Sequence, residues 1–135
     1  MADLPAAVSD THALIFHAAG SGVLGGRARR LFEAAERQQA LVYVPCAVIW
    51  EVSLLARVGR VNLRRQVREF FDDLFSNPSY HPYDLTADQV YCADELRFTR
   101  DPFDALIVAA ARALDVPLIT RDAAIRGSGS VRVIW

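Results

Sequence analysis

Five short apolar segments run through this chain, each separated from the next by a helical pattern, and no other feature limits its fold as tightly. The segments cover residues 6–9, 41–44, 80–83, 116–120 and 131–134 and have the length of strands. Residues 11–16 read as a short helix or turn, and Gly20, Gly22, Gly25 and Gly26 mark a loop after it. Residues 27–39 are rich in Ala, Glu, Arg and Leu, which favour helix. A helix over 47–58 is stopped by Gly59, and Asn62 is placed to cap a helix over 63–75. Thr86-Ala87-Asp88-Gln89 spells a capping box for a helix running to Leu96, and Asp101-Pro102 opens another running to Leu114. Strands joined through helices become parallel neighbours in one sheet. The expectation is an α/β three-layer sandwich, with a central, mostly parallel sheet flanked by helices. The Tyr80-His81-Pro82-Tyr83 segment belongs at a sheet edge, because proline has no N–H to donate to a ladder.

Bulk composition narrows the class. A chain of 135 residues, 53% of them hydrophobic, has the size of one ordinary domain and enough apolar material for a core, so residues 1–135 are expected to form one domain. The formal net charge is −1, so no global positive field advertises a nucleic-acid partner. All 15 basic residues are arginine and none is lysine, which is first a matter of composition and only second a hint of phosphate-binding forks. Cys46 and Cys92 form no C-x-x-C pair, and the N-terminal residues lack the basic-then-apolar pattern of a signal peptide. The longest apolar run, residues 105–111, is too short to cross a bilayer. These features lead us to expect a cytoplasmic protein with reduced thiols and no membrane association.

The chemistry lies in the acids. Asp10 follows the first strand, Asp122 follows the fourth by two residues, and Asp104 lies in the first turn of its helix. Ligand sites of open parallel sheets form outside the carboxyl ends of strands, so these acids are candidates for one crevice. Around Glu51, the positions at i−4, i−3, i+3, i+4 and i+7 are Ala47, Val48, Leu54, Leu55 and Val58, all apolar. Glu51 therefore falls on the apolar stripe of its helix, and a carboxylate there needs a cation, a metal or a proton. Seven apolar residues follow Asp104, marking a core helix with this acid at its mouth. Each acid also has a structural role open to it. Asp10, Asp101 and Asp122 are all placed to cap helices or turns, Asp101 more a cap than a ligand, and Asp104 suits a helix dipole. Acids brought together repel one another, and hard divalent cations such as magnesium or manganese relieve that repulsion.

Four segments together resemble the PIN-domain family, particularly the VapC-type toxins of bacterial toxin–antitoxin pairs. They are Ser9-Asp10-Thr11-His12-Ala13-Leu14, then Ile49-Trp50-Glu51-Val52, then residues 100–109 with Asp101-Pro102-Phe103-Asp104, and finally Leu118-Ile119-Thr120-Arg121-Asp122. The resemblance spans essentially the whole chain and implies a PIN-like sandwich. It also implies a Mg2+- or Mn2+-dependent endoribonuclease whose catalytic and metal-holding acids are Asp10, Glu51, Asp104 and Asp122. Thr120, Asp101 and His12 stand behind these as second-tier candidates. The implied partners are RNA as substrate and a small VapB-type antitoxin, in a homodimer or a toxin–antitoxin hetero-oligomer. Ala105 departs from the polar residue the family often carries after the third acid, which bears on substrate contacts rather than on the acids themselves.

Two further clusters have competing readings. Arg57, Arg60, Arg64, Arg65 and Arg68 make a local positive patch that could hold RNA phosphates, or simply be a solvated face paired with Glu69, Asp72 and Asp73. Phe70, Phe71 and Phe75 suit a core better than a base-stacking platform. Alternatives to the toxin reading are an RNA-processing or DNA-acting PIN nuclease and a catalytically silent PIN-like binding module. A phosphatase using Asp10 as nucleophile is disfavoured, because Thr11-His12-Ala13 supplies no second acid at the needed spacing.

Overall fold

The computed structural model describes residues 3–135. Its strands are β1 (Ala6–Ser9), β2 (Leu41–Pro45), β3 (Tyr80–Tyr83), β4 (Leu118–Ile119) and β5 (Val133–Ile134). Its helices are α1 (Thr11–Ala18), α2 (Gly26–Glu36), α3 (Cys46–Arg57), α4 (Val67–Phe75), α5 (Ala87–Glu95), α6 (Pro102–Leu114) and α7 (Ala123–Ser128). The strands form one five-stranded sheet in the order β3-β2-β1-β4-β5, and every pair in it is parallel. The sheet expected to be mostly parallel is therefore parallel throughout.

This order reverses direction at β1. From β1 the chain steps outward through β2 to β3, then returns to the other side of β1 for β4 and β5. Right-handed crossovers send the helices of these two halves to opposite faces. Both faces of the inner strands are then covered, which is why they read as continuous apolar runs instead of alternating. Ala7, Val8, Val42, Val44, Leu118 and Ile119 are all fully buried. The helices contribute Leu14, Phe32, Val48, Val52, Ile107 and Ile125 to the same apolar cluster. Helix α6 is buried over Ile107–Ala111, as its apolar run requires. Phe70 and Phe71 are core residues, and β3 with its Pro82 lies on the sheet edge.

Several boundaries differ from the sequence expectation: the last strand shortens to Val133–Ile134, α2 ends at Glu36, and Ala123–Ser128 forms a helix where only a turn was expected. Two further differences have clear local reasons. The helix expected from residue 63 starts at Val67. Asn62 accepts a bond from the Arg64 N–H at 2.8 Å, and Arg64 takes the left-handed φ of 60°, which a helix cannot continue. The fourth strand shortens to Leu118–Ile119 because the Val116 N–H still closes the end of α6 on the Ala111 carbonyl and Pro117 has no N–H to give.

Helix α1, which carries the first acid motif, is held on two sides of its last turn. Near its C-terminus the His17 ring stacks on Phe32 of α2 at 4.4 Å. Its Nε2 lies 2.7 Å from Glu36, which also accepts the Tyr80 hydroxyl at 3.0 Å. Trp135 closes the opposite side. Its carbonyl oxygen accepts from the Arg27 and Ala28 N–H groups at the start of α2, and its ring meets the edge of Phe16. Only glycine leaves room for this approach, since a Cβ on Gly25 would stand 2.3 Å from the Trp135 carbonyl carbon. Gly25→Ala is expected to cost about 1–3 kcal/mol in urea unfolding. Gly22→Ala, facing open space, should be nearly neutral; equal stability of the two variants would contradict the packing of Trp135.

Candidate active site

The topological reversal leaves a crevice beyond the carboxyl ends of β1 and β4. Register sets Val8 beside Leu118 and Ser9 beside Ile119, so the residues that follow these strands emerge side by side. A cleft of about 370 Å³ opens there. It is lined by Asp10, Glu51, Asp101, Asp104 and Asp122, together with Thr11, His12, Ile107 and Arg121. The four acids expected to converge do line one cavity, and Asp101 and His12 join them at its exposed rim.

Each acid is held by a nameable contact. Asp10 caps α1, its Oδ1 accepting the Ala13 N–H at 2.8 Å. Asp122 caps α7 in the same manner through the Ile125 N–H at 2.9 Å. Asp101 caps α6, with one oxygen accepting from the Phe103 and Asp104 N–H groups. Capping and lining the cleft are thus not alternatives, because each cap engages a single carboxylate oxygen of an acid that also lines the cleft. Glu51 sits at the edge of the buried face of α3, which is Ala47, Val48 and Val52. Val58, expected on that stripe, is exposed beyond the end of the helix. The Glu51 carboxylate accepts the hydroxyl of buried Thr11 at 2.5 Å. Thr120 is fully buried, and its hydroxyl oxygen accepts the Asp122 N–H at 3.1 Å.

Charge is not balanced inside the cleft. Among the described residues no arginine or histidine comes within ion-pair distance of Asp10, Glu51, Asp104 or Asp122. Burial raises the carboxyl pKa of Asp10, opposed by hydrogen bonds from Thr120 and Ala13 and by the nearby His12. Asp104 is pushed up to about 7, first by burial and then by the charges of Asp101, Asp122, Glu51 and Asp10. Four other carboxylates therefore act on this one group. Such a donor set, all oxygen and short of positive charge, fits a hard divalent cation. Among the described residues, no three acidic, histidine or cysteine side chains already close on a single point. The acids stand around the cleft at positions set by their caps.

The sequence reading missed two polar residues of this cleft, Thr11 and Arg121, and took Ile107 only as core. Thr11 was legible only as the residue after Asp10, yet its hydroxyl fixes Glu51 from another helix. Arg121 was legible only as a spacer between Thr120 and Asp122, yet it lines the cleft. Conversely, none of Arg57, Arg60, Arg64 or Arg65 lines it. Arg65 pairs with Asp73 at 3.1 Å, Arg68 with Asp72 at 3.7 Å, and the Arg57 guanidinium lies over the Trp50 ring.

The crowding around Asp104 has a pH signature in the cation-free protein. Its folded-state pKa of about 7 lies above the ordinary value of 3.8, so the folded chain binds a proton that the unfolded chain has released. This contribution to stability is full below the ordinary value and is lost as pH rises toward 7. In EDTA, Asp104→Asn should gain stability over the wild type as pH rises from the ordinary value of 3.8 toward 7, and exceed it in urea unfolding at pH 8. Adding Mn2+ at pH 8 should remove that advantage. A variant no more stable than wild type at pH 8 would refute the crowding.

A family model described as "PIN domain" matches residues 7–127. Among solved structures, the chain resembles VapBC2 from Rickettsia felis, bound to a DNA fragment from their promoter, with a TM-score of 0.66 and 16% identity, covering 95% of this chain and 96% of that one. It also resembles a toxin–antitoxin complex from Klebsiella pneumoniae, with a TM-score of 0.64, 20% identity and 96% of each chain covered. FitAcB from Neisseria gonorrhoeae gives 0.58 at 15% identity, over 93% of this chain and 94% of that one. No functionally curated protein matches the sequence.

Proposed function

The chain belongs to the PIN domain family, and from that premise we propose that it is a magnesium- or manganese-dependent endoribonuclease, the toxin of a VapBC-type toxin–antitoxin pair. In this reading residues 1–135 make one PIN domain that acts in the cytoplasm on RNA and is restrained by a small VapB-type antitoxin, in a homodimer or a toxin–antitoxin hetero-oligomer. PIN domains are in general nucleases. The fold shared with toxin–antitoxin complexes supports the proposed partner. No helix among the described residues is long and apolar enough to cross a membrane.

The observation that carries the proposal is Asp104, raised to about 7 amid four other carboxylates, with no ion pair reaching it among the described residues. Asp10, Glu51, Asp104 and Asp122 would hold the cation. When bound, such a cation supplies Lewis-acid stabilisation of phosphate oxygens and makes water a usable nucleophile near neutral pH. The chain's own residues prepare the site. The caps on α1 and α7 aim Asp10 and Asp122, Thr120 orients both, and Thr11 keeps Glu51 turned toward the cleft. Asp104, raised toward neutral pH in the cation-free cleft, would hold the cation as its carboxylate. Glu51 would be a further ligand or a base that orients water.

Antitoxin-free protein should cleave single-stranded RNA with Mn2+ or Mg2+ and stop in EDTA. Asp10→Asn should lower the rate by at least about 100-fold. It should still fold, because the asparagine carbonyl can accept the Ala13 N–H and preserve the cap. A fully active Asp10→Asn protein would overturn the assignment of this acid. Metal binding without cleavage of any RNA would move the choice to another nucleic acid substrate.

A further inference from the structure

One arginine lines a cleft that is otherwise acidic, and it pairs with none of the acids. Five carboxylates share the cleft with Arg121. Coulomb attraction would draw a free guanidinium onto one of them. Among the described residues, however, Arg121 makes no ion pair and no side-chain hydrogen bond. Its guanidinium lies instead over the Phe16 ring, 5.0 Å from the centroid. Phe16 is fixed in turn, being half-buried and packed edge-on against Trp135 at 6.5 Å. The backbone leaves Arg121 little freedom, because Thr120 before it is fully buried and Asp122 after it caps α7. That the residue is arginine proves little in a chain without lysine. The informative feature is a cation held on an aromatic face at the rim of an acidic cleft, with its donors unused.

We propose that Arg121 is a phosphate-binding residue, which holds the sugar–phosphate backbone of an RNA strand at the mouth of the cleft. This rests on the nuclease reading of the same cleft. A polyanion approaching five carboxylates meets repulsion that a cation among the acids relieves only at its own position. A guanidinium at the rim relieves it at a neighbouring phosphate. Stacked on Phe16, Arg121 keeps its N–H edge free for the two non-bridging oxygens of a phosphodiester, and the ring reduces the rotamer entropy lost on binding. The contact is to backbone, so it contributes affinity and position along the strand but no base preference.

The test separates binding from cleavage. Wild type, Arg121→Gln, Arg121→Lys and a charge control, Arg29→Gln, are compared for affinity to a labelled, cleavage-resistant 2′-O-methyl oligonucleotide across a salt series, and for Mn2+ affinity. Steady-state cleavage of the unmodified RNA is followed in parallel. Arg121→Gln should weaken oligonucleotide binding by about 5–10-fold and lower the salt slope by about one unit. KM should rise with kcat little changed, and Mn2+ affinity should stay at the wild-type value. Arg121→Lys should recover part of the loss, and Arg29→Gln none of the effect. Phe16→Leu, which removes the platform but keeps the charge, should fall between. Oligonucleotide affinity and slope unchanged in Arg121→Gln, while the wild type cleaves RNA, would overturn this proposal alone and leave the guanidinium to a carboxylate of a protein partner. A wild type that neither binds Mn2+ nor cleaves would overturn the nuclease reading and this proposal together.

Discussion

Parallel pairing of β1 with β4 is the contact on which the cleft depends. The Val8 N–H bonds to the Pro117 carbonyl and the Asp10 N–H to the Ile119 carbonyl, so the two strands leave the sheet in step. The pairing also marks the reversal in strand order, where helices depart to opposite faces and leave the strand ends uncovered. A one-residue slip would exchange the faces of every side chain on β4 and carry Thr120 and Asp122 away from Asp10. The short strands tolerate no such slip, because Leu118 and Ile119 are both fully buried and each faces a different layer of the core.

Around this seam the structure uses one device three times. Asp10, Asp101 and Asp122 each cap a helix with one carboxylate oxygen. A cap supplies an acceptor to otherwise unpaired N–H groups and places the acid against the positive end of a helix dipole. These interactions offset part of the repulsion that builds when acids share a cleft. The Asp104 carboxylate accepts no cap hydrogen bond among the described residues and is raised by burial and by its neighbours' charges. The same repulsion makes the cleft receptive to cations, so stability and cation affinity trade against one another at a single group.

The three solved structures compared above share only 15–20% identity with the chain. A sheet covered on both faces asks for apolar volume and tolerates many sequences that supply it. The acids are constrained differently, by where the strands end and which helices they cap. Arg121 follows the same logic, since its orientation derives from the fixed residues on either side and from the ring beneath it.

The sequence by itself determined the succession of elements other than α7, the apolar character of the inner strands and of α6, and the caps at Asp10, Thr86, Asp101 and Asp122. These depend on residues within one or two turns of each other, and local propensity and periodicity encode them. It determined the four acids as candidates through Glu51 on an apolar face, Asp104 before a core helix, and the resemblance those motifs carry. It misjudged the start of α4, where a left-handed Arg64 after an Asn62 turn broke a pattern that composition alone favoured. Only the tertiary structure decided that Thr11 holds Glu51, that the arginines beyond α3 stand outside the cleft, and that Arg121 rests on Phe16 and not on a carboxylate. The reason is physical. Each of these contacts joins residues distant in the chain, and strand order brings them together through the summed packing of the core, a long-range balance that no local window of sequence contains.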